Sequence, residues 1–317
     1  MSWRAGLFGT LAIVALAGGL FVRSFAPAPL PPPAPFEGSL PPASPPAAMA
    51  IFQLPTGVVH RTAAFAYRGG SFRDYRDFSM AGALVRHPRG DLLIDTGFGR
   101  EIDTQIMLMP FLFRMITSYS RAEPAAAQLD AVGYDRKNLR GILLTHAHWD
   151  HVSGIADFPG VPVLVTADER RFVADGGVIS IVARSLPDVH YEEYGFDGGP
   201  YLGFPTSHDV YGDGAIVVVP APGHTPGSVI VFVALPDGKR YAFLGDLVWQ
   251  REGILEREER PWVQRAAVDG DPAGVRTNML RVAALAARFP EMVLVPAHDA
   301  RGFDAMSRLT RSALAAR

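Results

Sequence analysis

Short apolar runs and longer amphipathic stretches take turns along most of the chain. Val58–Ala66, Ala81–His87 and Asp91–Asp95 read as strands, the last two joined through the turn sequence Pro88-Arg89-Gly90. Further strands are predicted at Gly141–Thr145, Val161–Thr166, Ala215–Val219, Ser228–Leu235, Arg240–Leu244 and Met292–Val295. Between them, Pro124 suits the first turn of a helix that ends by Gly133, and Gly176-Gly177 stops a helix over Ala167–Asp175. Pro272–Arg288 predicts a longer helix, and a terminal one follows Gly302. Glu101–Tyr119 is apolar and helical in pattern, with a kink or break at Pro110, which has no N–H to give to the preceding turn. Residues 176–213, rich in glycine, tyrosine and aspartate, read as loops with short elements. Strands interleaved with helices place the chain in the α/β class, and no repeat of solenoid period is visible.

Before residue 51 the pattern is different. Ala5–Val22 carries no charge and is flanked by Arg4 and Arg23. Its length lies between that of a signal-peptide core and that of a full membrane span, so residues 1–25 are expected to be a membrane anchor or a signal peptide. The remainder is then exported, either held on the outer side of a membrane or secreted. Residues 26–50 are dominated by proline and alanine and have no periodicity. They read as a polyproline-type linker, able to reach about 75 Å at about 3.1 Å per residue and to hold a domain spanning 51–317 away from a membrane.

Composition narrows the chemistry. With 317 residues and 48% hydrophobic content, a large buried core is available. A net charge of -2 and a pI near 6.5 give no general attraction to a polyanion, so nucleic acid is not an expected partner. The absence of cysteine removes disulfides, thiolate metal ligands and a cysteine nucleophile.

The candidate chemistry sits where strands end. His146-Ala147-His148-Trp149-Asp150-His151 follows the apolar run Ile142–Leu144 directly, and in an extended segment His146 and His148 share one side, so two imidazoles can converge on one ion. Leu92–Ile94 leads to Asp95, Val217–Val219 leads through Pro220–Gly223 to His224, Tyr241–Gly245 leads to Asp246, and Val293–Val295 leads to His298. Sites in open α/β sheets assemble beyond the carboxyl ends of strands, where separated residues meet. His146, His148, Asp150, His151, His224, Asp246 and His298 are therefore the candidate metal ligands. Gly223, Gly227 and Gly245 beside them allow close backbone approach.

His146-Ala147-His148-Trp149-Asp150-His151 resembles the signature of the metallo-β-lactamase-fold hydrolases. Gly223-His224-Thr225-Pro226-Gly227-Ser228, Gly245-Asp246 and Pro296-Ala297-His298-Asp299 are similar to that family's later motifs, in order. Over roughly residues 58–317 the resemblance implies an αββα sandwich, mixed sheets flanked by helices, with a dinuclear metal centre. It implies that His146, His148 and His224 hold one ion, that Asp150, His151 and His298 hold the other, and that Asp246 bridges them. Asp95 is then an orienting residue, and Asp150 both a ligand and the proton shuttle to the leaving group. Two divalent ions, zinc by default with iron, manganese or cobalt also compatible, would make hydroxide available at about pH 7.

The expected activity is hydrolysis of an ester-like bond in a small molecule. Within the superfamily the chain resembles most the N-acyl homoserine lactonase-like branch, which points to a lactone with an acyl chain. Alternatives on the same fold are hydrolysis of a β-lactam, thioester or phosphoester, and, from another class, a non-catalytic metal-binding scaffold. One departure stands out: lactonases of this branch carry a tyrosine three residues after the bridging aspartate, where this chain has Trp249. Ile106–Phe113, apolar on every side, is a candidate pocket wall, lid or dimer contact, or else a core helix. Residues 178–213, with Tyr191, Tyr194, Tyr201 and Tyr211, are candidates to cover the mouth. His60, His87, His190 and His208 are read as structural or solvent-facing, and Arg251–Arg260, with charges of both signs, as a solvated face.

Overall fold

The computed structural model describes residues 17–315. Its first sheet contains β1 (Ala50–Thr62), β2 (Tyr75–Arg86), β3 (Asp91–Ile94), β4 (Tyr119–Arg121), β5 (Leu139–Leu143), β6 (Val163–Thr166) and β7 (Tyr191–Tyr194). The second contains β8 (His208–Asp209), β9 (Ile216–Pro220), β10 (Val229–Ala234), β11 (Arg240–Gly245) and β12 (Val293–Pro296), and β13 (Ser307–Arg308) returns to the first. The orders are β13-β1-β2-β3-β5-β6-β7, with β4 also on β1, and β12-β11-β10-β9-β8. Both sheets are mixed: β1-β2-β3 run antiparallel and β3-β5-β6-β7 parallel, while β11 is antiparallel to β10 and parallel to β12.

The two-residue period of the strands builds the layers. Leu92, Ile94, Leu143 and Leu164 face inward and pack with Val218, Val229, Val231 and Phe243 of the second sheet. Their neighbours Leu93, Ile142, Val163 and Val165 face outward, beneath Ala126, Leu129, Phe172 and Val173 of two helices, Ala125–Val132 and Ala167–Asp175. On the second sheet Ile230, Phe232 and Leu244 face the helix Pro272–Arg288 through Val275, Met279, Val282 and Leu285. The result is the expected αββα sandwich. Both faces of both sheets are buried, which is why the strands read as continuous apolar runs.

Several elements depart from the expected boundaries. β1 starts at Ala50, passes Pro55 at a register shift between Pro55 and Gly57, and ends at Thr62, with a helical turn over Ala63–Ala66. Proline is tolerated at such an irregularity because no ladder N–H is required of it there. Pro110 divides the 101–119 stretch as anticipated, into Ile102–Gln105, a 3₁₀ turn Ile106–Leu108 and Phe111–Ile116, after which Tyr119 opens β4.

The proline-rich segment behaves differently from a spacer. It has almost no regular structure, but it lies along the domain: the Leu30 amide donates to Arg257 O (2.8 Å) and the Ala28 amide to the Glu258 carboxylate (2.9 and 3.0 Å). Leu30 is buried in the outer core of the second sheet and Phe36 meets Phe289 edge-on at 5.9 Å. Ser44 N donates to Asp213 O, and Met49 reaches the core between the sheets. Polyproline backbone loses little entropy when it is laid down, and its apolar side chains gain a surface. Upstream, residues 17–25 are helical and Phe25 is buried among Phe21, Phe65 and Phe72. Residues 1–16 of the expected anchor or signal segment lie outside the described residues. No helix among the described residues is long and apolar enough to cross a membrane.

Candidate metal centre

Strand ends bring the candidate residues together. His146 and His148 follow β5 in extended backbone, and Asp150 and His151 fall in the single helical turn Trp149–Val152 that comes next. The second sheet contributes His224 after β9, Asp246 directly after β11 and His298 after β12. Gly245 makes this arrangement feasible: it sits at φ 52°, and a Cβ there would lie 2.9 Å from the Thr145 side chain. At Gly227 a Cβ would come within 2.2 Å of Glu169 N, so the His224 loop can pack this close only with glycine.

All seven predicted side chains are buried and meet in one place. Candidate ligand atoms of His146, His148, His224 and Asp246 form one group and those of Asp150, His151 and His298 another, each within 4.8 Å. Asp246 stands between them. Its Oδ1 is 3.0 Å from His298 Nε2 and 3.3 Å from His151 Nε2, and its Oδ2 is 3.4 Å from His224 Nε2 and 4.0 Å from His146 Nε2. His298 Nε2 is also 3.4 Å from Asp150 Oδ2.

Hydrogen bonding separates the outer side of this cluster from its inner side. His151 Nδ1 is 2.8 Å from Asp95 Oδ2, His224 Nδ1 is 2.9 Å from Asp269 Oδ1, and His298 Nδ1 is 3.0 Å from Ser79 O. In the neutral ring each contact favours the tautomer that leaves Nε2 with a lone pair facing inward. Inside, His146 Nε2, His148 Nε2, His151 Nε2 and Asp246 Oδ1 are buried without a hydrogen-bond partner. His148 Nδ1 and His224 Nε2 face each other at 2.8 Å, where one donates to the other or both direct lone pairs at a common cation. Buried polar atoms are seldom left unpaired. Convergent imidazole and carboxylate atoms, with no thiolate, fit divalent ions.

Protonation follows from the same geometry. Burial, and then neighbouring imidazoles, hold His146 and His148 well below the usual range, in the neutral form that binds metal. Burial alone would raise Asp246, but the close approach of His298, His151 and His224 outweighs it and holds the carboxylate well below its ordinary value. Asp150 is raised by burial.

Supporting residues that the sequence did not reveal surround these. The buried Glu169 carboxylate accepts from Ala147 N (2.6 Å), Thr225 Oγ1 (2.7 Å) and Gly227 N (3.1 Å), tying the His148 loop to the His224 loop. Asp269 is also paired with Arg260, whose Nη1 donates to Asp246 O at 2.7 Å. The stretch Arg251–Arg260 is therefore not a solvated face throughout, since Glu258, Glu259 and Arg260 are all buried. Trp249 Nε1 donates to Asp246 Oδ2 at 2.8 Å. Asp95 takes the orienting position expected of it, accepting from Thr145 N and Thr145 Oγ1 as well as facing His151.

The centre opens into a cavity of about 190 Å³ walled by Val59, Phe78, Met80, Met109, Phe113 and Trp249, with Arg61 among its polar residues. Met109 and Phe113 give the Ile106–Phe113 stretch a share of the pocket wall, while Ile106 and Met109 also belong to the core. The four tyrosines are not at this cavity: Tyr191 and Tyr194 lie in β7 at the edge of the first sheet, Tyr201 packs on Phe232, and Tyr211 stacks on His87.

The sequence profile of the metallo-beta-lactamase superfamily matches residues 82–298. The chain belongs to the metallo-beta-lactamase superfamily. A probable metallo-hydrolase of Mycobacterium tuberculosis is 35% identical over 240 residues, covering 68% of this chain and 73% of that protein. The N-acyl homoserine lactonase AttM of Agrobacterium fabrum is 28% identical over 171 residues, 49% of this chain and 60% of that protein. Among solved structures, an N-acyl homoserine lactone hydrolase with N-hexanoyl-L-homoserine at its catalytic metal centre superposes with a TM-score of 0.64 at 16% identity, covering 82% of this chain and 96% of that one. This superfamily member is thus a hydrolytic enzyme whose His/Asp groups suit divalent metal ions.

Proposed function

We propose that the enzyme hydrolyses an ester-like bond, a lactone bearing an acyl chain being the best fit, with zinc as its metal. The observation that carries this reading is the junction of two unlike surfaces: a cluster of inward-facing imidazole and carboxylate atoms opens directly into an almost wholly apolar wall. Lactonases among the relatives and structural neighbours support the same substrate class.

Divalent ions, when bound there, would supply Lewis acidity and make hydroxide available near neutral pH. His146, His148 and His224 would hold one, Asp150, His151 and His298 the other, with Asp246 shared. The protein contributes the rest. Asp95, Asp269 and the Ser79 carbonyl keep the ring nitrogens aimed, so no reorganisation is needed at the moment of reaction. Asp150 lines the cavity as well as the cluster, the position from which its carboxyl can pass a proton to the departing alkoxide. Val59, Met80, Met109 and Phe113 take the acyl chain and exclude water. Trp249 gives its only N–H to Asp246, so it has none for the substrate. Arg61, bonded to Ile116 O and Thr117 Oγ1 through two of its five N–H groups, keeps donors for an acyl or amide oxygen.

The test is a hydrolysis panel on metal-loaded enzyme, with short- and long-chain acyl lactones beside simple esters, thioesters, β-lactams and phosphoesters. Lactone turnover that rises with chain length is the expected result. Turnover confined to another bond type would replace this reading, and failure on every substrate by fully loaded protein would favour a scaffold.

A further inference from the structure

The helix Phe111–Ile116 contains no buried residue. Phe111, Leu112, Met115 and Ile116 are 60–69% exposed, and Met107, Leu108 and Val178 beside them are also open to solvent. An exposed apolar patch of this kind marks a surface that meets something else. It borders the mouth of the active-site cavity, because Met109, Phe113, Thr117 and Ile179 of the same two segments line that cavity.

A second apolar group stands on the other side of the mouth. The helix Trp262–Val268 lines the cavity with Ala267 and Val268, and at its other end Trp262 Nε1 donates to Leu20 O and Val263 N to Ser24 Oγ. Seven helical residues span roughly 10 Å, so exposed Leu20, Phe21, Val22 and Trp262 lie about that far from the cavity wall. Leu20–Val22 closes the uncharged stretch Ala5–Val22, so the end of that stretch sits beside the mouth. The proline-rich segment that follows is laid along the domain and gives no slack between that stretch and the active site.

Charge selects the partner. Between Gln105 and Ser120 the single charged residue is Arg114, which has no acidic partner among the described residues. Apolar side chains around an unpaired arginine suit an anionic lipid surface. The geometry points to the mouth of the active site resting against such a surface, with Phe111, Leu112, Met115 and Ile116 inserted into it, so that an acyl-bearing substrate enters the cavity from the bilayer. The entry route rests on the acyl-bearing substrate proposed above, and the surface contact does not depend on which bond is cleaved.

The chain has no cysteine, so one can be introduced at a chosen position and labelled with an environment-sensitive fluorophore. Leu112→Cys and Met115→Cys, neither lining the cavity, would be prepared in the full chain, with Lys239→Cys in the distant β10–β11 turn as reference. On adding vesicles of phosphatidylethanolamine and phosphatidylglycerol, emission at 112 and 115 is expected to rise severalfold, shift to the blue and be quenched by brominated lipid, while the probe at 239 stays unchanged. Three results would overturn the proposal: no association with vesicles; association with probes 112 and 115 still in water; or probes already shielded before lipid is added, in a protein that sediments as a dimer, which would give this face to a second copy of the chain.

Discussion

Trp249 stands where lactonases of the resembling branch carry a tyrosine, and its indole is committed to Asp246 Oδ2 at 2.8 Å. Removing that donor while keeping an aromatic ring, Trp249→Phe, should free the shared carboxylate to rotate. Outer partners of metal ligands are typically worth about 10–100-fold in metal affinity or activity. A loss in that range in metal titration and kcat is expected, with KM little changed; a change confined to KM would mean that the indole acts on substrate. Glu169 makes a second case. Glu169→Ala strands two buried amides, while the Thr225 hydroxyl keeps Ser228 Oγ; at about 1–3 kcal/mol for each unsatisfied group, urea denaturation should show a loss of about 2 kcal/mol or more. The seven candidate ligands were legible because each follows an apolar strand. Glu169 was not, since Thr166-Ala-Asp-Glu169 is a helix-start sequence and Thr166 Oγ1 does cap Glu169 N. That local role hides the fact that the carboxylate turns away from its own helix to brace two ligand loops. Asp269 and Arg260 carried no local signal at all, because their partners lie nine or more residues away.

Among the elements, strands were read well where both faces are buried and poorly where a chain irregularity carries the pairing. β1 runs through Pro55, which sequence rules place outside a strand, and β4, β8 and β13 are too short to show a period. The linker was legible as irregular but not as a strap, since nothing in a proline-alanine run states which surface will receive Leu30 and Phe36. Replacing Leu30 by Ala should therefore destabilise the domain by about 2 kcal/mol, at the low end for a buried leucine at a rim; an unchanged urea midpoint would mean that the strap is only lightly held. A clamp between β2 and the helical turns Glu252–Leu255 and Ala300–Phe303 allows a pH prediction. Burial works against ionisation of Glu252, but Arg301 and Arg76, at 2.7 and 3.0 Å, prevail and bring its carboxyl down to about 2. Because the folded value is depressed, the stabilisation is complete above about pH 4.5, the ordinary glutamate range, and is lost as pH falls towards 2. Wild type should exceed Glu252→Gln in denaturant midpoint at pH 7, and the gap should close across that acidic window.

At the scale of the whole molecule the metal centre is also a joint between the two sheets, with His146, His148, Asp150 and His151 from the first and His224, Asp246 and His298 from the second. Removing the ions should therefore loosen the sandwich as well as abolish turnover, and the effect should depend on pH in a definite direction. In metal-free protein, burial opposes charging of His151, His224 and His298, yet Asp95, Asp246, Asp269 and Asp150 outweigh it and raise all three. A raised folded value stabilises most below the ordinary imidazole range and is lost as pH climbs through the folded value. Protonated imidazoles cannot bind metal, so the ions gain over the same interval in which the metal-free protein weakens. Occupancy at about a hundred times the dissociation constant adds about 2.7 kcal/mol. The difference in Tm between loaded and chelated protein should thus be small near pH 5.5 and widen steadily to pH 8.5. A constant difference would mean that the three outer imidazoles do not exchange protons for metal, and a narrowing one would contradict the ligand assignment.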